Sequence, residues 1–234
     1  MGSPNQLLFI RRYAQRLGGP YLEVGARDYG STVDLRPLFA ARGRYLGVDM
    51  DPGPGVDLAL DMAGPFEPID AALAEERFGT IFCLSVLEHC RRPFQMAENL
   101  TRLLAPQGRL VVAAPFAFKF HAYPNDYWRF TPEGIRALFG GLDFPPDEAA
   151  VATSIPGHLA PLDTELGRIV FGYTPHRKQG RYLRGAVAKL LALAAKAGAL
   201  RWLAGHRYVL PPTEILLIGT LKEEARRRQA SSGL

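Results

Sequence analysis

Residues 21–30, Tyr-Leu-Glu-Val-Gly-Ala-Arg-Asp-Tyr-Gly, restrict this chain to few folds. A short apolar run ends in an acid, Glu23, and breaks at once at Gly25. A second glycine, Gly30, and a Ser-Thr pair follow. This is how a buried strand reads when it runs into a tight turn and a following helix. In a doubly wound sheet that junction holds a nucleotide-like ligand. Gly25 lets the backbone approach such a ligand with no Cβ in the way. Glu23 sets the sign of the charge it meets: a strand end facing a pyrophosphate has no use for an anion, whereas one facing an ammonium group does.

The second strand, Arg44-Tyr-Leu-Gly-Val-Asp-Met, also ends in an acid, Asp49. A carboxylate there suits two vicinal ribose hydroxyls, because it accepts two hydrogen bonds side by side. S-adenosylmethionine offers both groups, an amino group and a ribose. The chain resembles the class I S-adenosylmethionine-dependent methyltransferases, in particular a bacterial type 11-like group with a Val-Leu-Glu-His segment and a later Tyr-Trp-Arg-Phe-Thr-Pro segment. The resemblance is dense over about residues 19–142 and looser near 214–222. It rests on Glu23-Val-Gly25, Gly47-Val-Asp49-Met50, Asp57-Leu-Ala-Leu-Asp61-Met62, Leu84-Ser85-Val86-Leu87-Glu88-His89 and Leu104-Ala-Pro-Gln-Gly108-Arg-Leu-Val-Val, in the family's order. One such motif would carry little weight; five in register carry much more. The family more often has a third glycine where this chain has Arg27 or Asp28.

Strands are expected at 21–25, 45–49, 56–60, 80–85, 109–114, 148–155 and 214–221, alternating with helices at 5–17, 32–42, 68–76, 93–104 and 132–139. This alternation indicates an α/β fold: a doubly wound, Rossmann-like, seven-stranded, mostly parallel sheet with an antiparallel last strand and a helical insertion before that strand. The expected organisation is a cofactor-binding core over 1–156, a basic helical cap over 157–210, the last core strand over 211–222 and a flexible tail over 223–234.

The resemblance implies the cofactor contacts. Glu23 and Gly25 would hold the methionine end, Asp49 the ribose, and Met50 would pack on adenine. Asp61 would accept from the adenine amino group, with Met62 alongside and Asp57 as a rival. Leu84 and Ser85 would offer backbone groups. The plainer readings are turn glycines, helix-capping acids and core methionines. The product would be S-adenosylhomocysteine.

Methyl transfer from a sulfonium asks the protein for alignment, exclusion of water and, for a hydroxyl acceptor, removal of a proton. The loop after the fifth strand carries His121, Asp126, Tyr127, Trp128 and Arg129. His121 is the first candidate for general base because its reference pKa lies near neutrality, with His89 second. Tyr127 and Asp126 complete the catalytic candidates; Arg129 and Trp128 are assigned to substrate. The competing structural reading has His121 and Tyr127 bracing the loop, Asp126 capping a turn and Arg129 pairing with a carboxylate. No metal is expected, since Cys83 and Cys90 fit no zinc spacing; both read as reduced cytosolic thiols.

Residues 166–213 contain no Asp or Glu but nine Lys and Arg, so the basic character of the chain belongs to one segment. On a helix, Leu183, Val187, Leu190, Leu191 and Ala194 share one face, with Arg181, Arg184, Lys189 and Lys196 opposite. The first reading is a cap packed on its apolar face. The others are an anionic or sugar-containing acceptor, contact of 177–201 with a membrane surface, or a dimer face; the chain is expected as a monomer or homodimer. Nucleic acid is not expected, as no aromatic-interleaved or known binding module appears. No long apolar run or leader pattern is seen, which points to the cytoplasm.

The leading expectation is a small-molecule methyltransferase, with O-methylation of a sugar or specialised metabolite ahead of N- or C-methylation of a natural product. The alternatives are an NAD-dependent oxidoreductase, which Asp49 suits but Glu23 and the incomplete glycine pattern oppose, and a non-catalytic S-adenosylmethionine-binding partner protein.

Overall fold

The computed structural model describes residues 3–30, 33–122, 124–163, 166, 169–170, 173–199, 208–225 and 227. The chain divides into two compact units, Met1–Leu162 with Pro212–Leu234, and Asp163–Pro211.

The first unit is built on one sheet. Its strands are β1 (Tyr21–Val24), β2 (Tyr45–Asp49), β3 (Leu58–Ala59), β4 (Phe78–Leu84), β5 (Leu104–Ala117), β6 (Leu142–Asp143), β7 (Ala149–Thr153), β8 (Leu159–Pro161) and, last in the chain, β11 (Thr213–Leu221). The order is β3-β2-β1-β4-β5-β11-β7-β8, with β6 beside β11. The pairs from β3 through to β5 are parallel. β11 runs antiparallel to both β5 and β7. The seven expected strands are therefore joined by two short ones, β6 and β8. β8 pairs with β7 through Val151 opposite Ala160, so residues 157–162 stay with the sheet and the second unit starts later than expected.

β4 reads Phe-Gly-Thr-Ile-Phe-Cys-Leu and is buried along nearly its whole length, as a strand covered on both faces must be. One face is covered by α1 (Pro4–Tyr13), whose Phe9 and Ile10 pack with Tyr21, Phe39 and Phe82. Phe39 and Phe82 meet at 5.1 Å between ring centroids. A capping box fixes the start of α1: Ser3 Oγ accepts from Gln6 N at 3.1 Å, and Ser3 N donates to Gln6 Oε1 at 3.0 Å. The remaining helices of this unit are α2 (Arg36–Phe39), α3 (Phe66–Ala72), α4 (Pro93–Leu103) and α5 (Pro132–Leu138). α2 is shorter than the expected 32–42: Asp34 Oδ1 accepts from Arg36 N at 2.9 Å and starts the helix there, and a 3₁₀ turn continues it to Arg42. Ser31 and Thr32 lie outside the described residues.

From β1 the chain steps outward to β2 and β3 and then crosses back to β4 on the other side of β1. The ends of β1 and β4 thus flank the switch point, where an open α/β sheet has its crevice.

The second unit holds the pair β9 (Ile169–Val170) and β10 (Tyr208–Val209) and a helical hairpin, α6 (Tyr173–Lys178) and α7 (Tyr182–Lys196). The face of α7 that is buried is small: Gly185, Ala188 and Ala195. A Cβ on Gly185 would lie 2.9 Å from the Tyr173 ring, so glycine lets α6 approach closely. The leucine face expected to pack is open, with Leu183 81% exposed and Val187 and Leu190 also exposed. No helix among the described residues is long and apolar enough to cross a membrane.

Candidate active site

The glycine turn after β1 is shaped by three contacts. Gly25 sits at φ +74°, and a Cβ there would meet Val86 Cγ2 at 2.4 Å. Gly25 N and Ala26 N donate to Val48 O at 2.9 and 3.1 Å, tying the turn to the end of β2. Asp49 closes the same corner. Its Oδ2 accepts from Arg27 N at 3.3 Å and its Oδ1 from Asp51 N at 3.2 Å. These are long bonds that leave the carboxylate lone-pair capacity for a ligand.

Glu23 is less open than the sequence implies. Tyr45 Oη donates to its Oε2 at 2.5 Å, and burial pushes its carboxyl pKa above the ordinary range. The charged form is therefore costly unless a cation arrives.

The rival acids flanking the third strand separate by partner. Asp57 Oδ2 accepts from Gly47 N at 2.7 Å and pairs with Arg36 at 2.6 Å, so it pins β2. Asp61 is half exposed, accepts from Ala63 N at 2.9 Å and meets Arg92 at 3.2 Å. Asp61 thus remains open to an adenine amino group. Met50 is 70% exposed beside Asp49, whereas Met62 is 1% exposed in the core and presents no side-chain surface to a ligand. Ser85 N is already used, donating to Ala113 O at 2.9 Å, which leaves the carbonyls of this segment.

Ser85 is also a non-glycine residue in the left-handed region, at φ +53°. Such a residue costs energy and tends to mark a functional turn. It swings the chain sharply off β4 into the 3₁₀ turn Leu87–His89. Beside this turn lies a cavity of about 340 Å³, lined by Gln6, Ser85, Glu88, Phe118, His121 and Glu214 among others. Four of these were absent from the sequence-derived site: Gln6, Glu88, Phe118 and Glu214. Glu214 is buried, accepts from Ser85 Oγ at 3.1 Å and Ser3 Oγ at 3.4 Å, and is closely bonded by Gln6 Nε2. Burial raises its pKa above the ordinary value. Glu88 is 1% exposed; burial, with Glu214 nearby, pushes its carboxyl up to about 8.

The loop after β5 docks on the same turn. Tyr127 N and Trp128 N donate to Glu88 O at 2.8 and 3.3 Å, and Trp128 Nε1 donates to Cys90 O at 2.9 Å. Asp126 and Arg129 are committed to each other, at 2.5 and 2.7 Å. Arg129 also donates to Lys119 O at 2.9 Å and Trp128 O at 2.7 Å, while Asp126 accepts from His121 N at 2.8 Å. The Arg129 hydrogen bond holds the Asp126 carboxyl well below its usual range. Asp126 therefore braces the loop and takes no proton near neutrality. Arg129, assigned to substrate from sequence, has its donors spent on this staple. Tyr127 presents an exposed ring.

Both histidines reach this corner. His89 Nδ1 faces Asn125 O at 2.5 Å. His121 Nδ1 faces Asp126 Oδ2 at 3.1 Å and Lys119 O at 3.3 Å. In a neutral imidazole such an acceptor at Nδ1 selects the tautomer with the proton there and the lone pair on Nε2.

The chemistry of the donor set fits S-adenosylmethionine: a glycine turn, an acid at the end of β2, a half-exposed Asp61 and an exposed Met50 on one crevice, with an aromatic and polar cavity next to it. A family model described as a methyltransferase domain matches residues 22–112. No curated protein matches the sequence. Among solved structures the chain is similar to a putative methyltransferase from Bacillus halodurans, at 11% identity and a TM-score of 0.54, covering 93% of this chain and 99% of that one. It is also similar to the N-methyltransferase NodS from Bradyrhizobium japonicum in complex with S-adenosylhomocysteine, at 13% identity, a TM-score of 0.50, and 94% and 86% coverage. A third is StiE O-MT, at 13% identity, a TM-score of 0.51, and 96% and 77% coverage. At these identities the structures speak to the fold, while the matched domain sets aside the oxidoreductase reading. The methyltransferase domain matched over residues 22–112, set in this fold, makes the chain a methyltransferase with S-adenosylmethionine as its cofactor.

Proposed function

We propose that this enzyme methylates a hydroxyl of a small, sugar-like or phenolic metabolite. The observation that carries this reading is the convergence of Glu88, His121, Glu214, Gln6 and Ser85 on one cavity at the end of β4. Bound there, S-adenosylmethionine supplies an activated methyl group. The chain's own task is to bind the acceptor, turn one hydroxyl toward the methyl group and keep water out. Glu214, Gln6 and Ser85 form a preset hydrogen-bonding wall suited to neighbouring hydroxyls. Phe118 and Pro115 form an apolar side suited to a ring. His121 Nε2 accepts the hydrogen bond of the reacting hydroxyl.

Glu23, Gly25, Asp49, Met50 and Asp61 hold the cofactor.

The test is formation of S-adenosylhomocysteine with a panel of sugars, sugar phosphates, phenols and amines, followed by product mass and position. Transfer to hydroxyl compounds, reduced by His121→Ala, is expected. Transfer to amines alone would overturn the O-methylation reading. Retention of full turnover in both His121→Ala and Tyr127→Phe would overturn the loop chemistry.

A further inference from the structure

Glu88 and His121 line the cavity, and with His89, the neighbour of Glu88 in the chain, each offers one ligand atom, the three lying within 4.8 Å of one another. Two of these residues carry an orphaned atom: Glu88 Oε2 and His89 Nε2 are buried with no hydrogen-bond partner. A buried carboxylate oxygen and a buried imidazole nitrogen without partners are each costly, and such groups call for an explanation. His89 Nε2 stands 3.9 Å from Glu88 Oε1, and the His89 and His121 rings meet edge to face at 4.9 Å between centroids.

The outer contacts point the same way. A metal-bound histidine almost always donates its other ring N–H to a carboxylate or a backbone carbonyl, which fixes the tautomer and the ring orientation. Here His89 Nδ1 faces the Asn125 carbonyl, and His121 Nδ1 faces the Asp126 carboxylate. Asp126 is in turn held by Arg129. With its Nδ1 so engaged, His89 turns its Nε2 toward Glu88. The left-handed Ser85 and the two backbone donors on Glu88 O hold the 3₁₀ turn that carries two of the three ligands.

We propose that Glu88, His89 and His121 form a binding site for one divalent first-row transition metal ion, with its remaining positions open to the cavity. Two imidazoles and one carboxylate suit Zn²⁺, Mn²⁺, Fe²⁺, Co²⁺ or Ni²⁺, not Ca²⁺ or Mg²⁺, which prefer all-oxygen sets. Bonds of about 2.0–2.2 Å require the ligand atoms to draw together by roughly 1 Å or more. Torsions of the Glu88 side chain and of the partly exposed His121 supply that closure. The expectation of no metal rested on the spacing of Cys83 and Cys90; His121 lies far from the Glu88-His89 pair in the chain. The ion would stand where the reacting hydroxyl is placed above. That consequence rests on reading the cavity as the acceptor site; the metal site does not. In the loaded enzyme, His121 is a ligand and the hydroxyl meets the ion.

The test uses tag-free protein, dialysed against a chelator and titrated with Zn²⁺ and Co²⁺ by calorimetry. Visible absorption of the Co²⁺ form and metal content of the purified protein accompany it. One saturable ion per chain is expected, weakened about tenfold or more in Glu88→Gln, His89→Ala and His121→Ala. Circular dichroism melts show which variants are folded, and the conservative Glu88→Gln keeps the test decisive if His89→Ala unfolds. Asp49→Ala separates the two readings: it is expected to lose S-adenosylhomocysteine binding and keep the metal. The absence of stoichiometric binding, or binding unchanged in Glu88→Gln and His89→Ala, would overturn the site. Intact S-adenosylhomocysteine binding alongside either result would leave the methyltransferase reading standing.

Discussion

Val86 Cγ2 stands 2.4 Å from the place a Cβ would occupy on Gly25. The first turn of the sheet and the exit of its fourth strand are thus locked together at the crevice. Gly25 is also at φ +74°, so any side chain there meets both strain and a clash. Gly25→Ala is expected to destabilise the protein by about 2 kcal/mol or more, given about 1–3 kcal/mol for the strained backbone alone. It should also weaken S-adenosylhomocysteine binding. Adding Val86→Ala should relieve the clash and return part of the stability, leaving the strain. Thermal melts and calorimetry of the two variants check both statements.

Asp49 and Asp57 look alike in sequence but should respond oppositely. Asp49→Ala removes the carboxylate at the end of β2 and should weaken S-adenosylhomocysteine binding by about tenfold or more, from the loss of charge-assisted hydrogen bonds, with a small change in melting temperature. Asp57→Asn should mainly destabilise. Burial alone would raise the Asp57 pKa, but the Gly47 N–H and Arg36 more than offset it and the value is lowered. A depressed carboxyl contributes stability above its unfolded pKa, about 3.9, and loses that contribution as pH falls through the folded value. The gap between wild type and Asp57→Asn should therefore be full at pH 7 and close in acid. A gap that widens below pH 4 would contradict the assignment.

What could be read from sequence was the frame that local patterning dictates. Apolar runs ending in Glu23 and Asp49 gave the order and direction of the first strands, and Thr131-Pro132 gave a helix start: Thr131 Oγ1 accepts from Gly134 N at 2.9 Å. The wall of the cavity was not legible. Gln6 and Glu214 meet from opposite ends of the chain, and no local rule pairs them. One signal was present: Glu214 is an acid opening the otherwise apolar Ile-Leu-Leu-Ile run of the last strand. For Asp126 and Arg129 the competing structural reading had Asp126 capping a turn and Arg129 pairing with a carboxylate, without naming which one. Their residue types suit catalysis, and only the fold shows their donors and acceptors spent on each other. The leucine face of α7 failed for a further reason: periodicity reports a face but not its partner, and Gly185 draws the small face onto α6 instead.

Glu214 should trade stability for function. Its pKa is raised because burial disfavours the charged carboxyl. Between the ordinary glutamate value, about 4.3, and the raised one, the folded protein holds a proton that the unfolded chain has lost. Stability from this group is therefore full below the ordinary value and lost as pH rises through the raised one. Glu214→Gln does not suffer that loss. It should melt higher than wild type at neutral pH, with the difference vanishing below about pH 4, and it should turn over acceptor more slowly. Melting curves across pH and a kcat/KM comparison test both halves. A variant less stable at every pH would show that the carboxylate's bonds to Ser3, Gln6 and Ser85 outweigh its desolvation.

Arg129 is predicted to hold the loop together. Removing it leaves Asp126, only 1% exposed, as a buried charge without its main partner. The loop would also lose the donors to the Lys119 and Trp128 carbonyls. Breaking a fully buried ion pair by removing one partner costs about 3–5 kcal/mol, and less here because the guanidinium is partly exposed. Arg129→Ala should therefore cost about 2 kcal/mol and expose residues 118–129 to limited proteolysis. Arg129→Lys should not restore it, because one ammonium cannot bridge both carboxylate oxygens and two carbonyls. The double variant Arg129→Ala with Asp126→Asn should recover part of the loss by neutralising the stranded charge. If Arg129→Ala instead keeps its melting temperature and protease resistance while KM for the acceptor rises, Arg129 binds substrate, as its residue type suggests, and the staple is incidental.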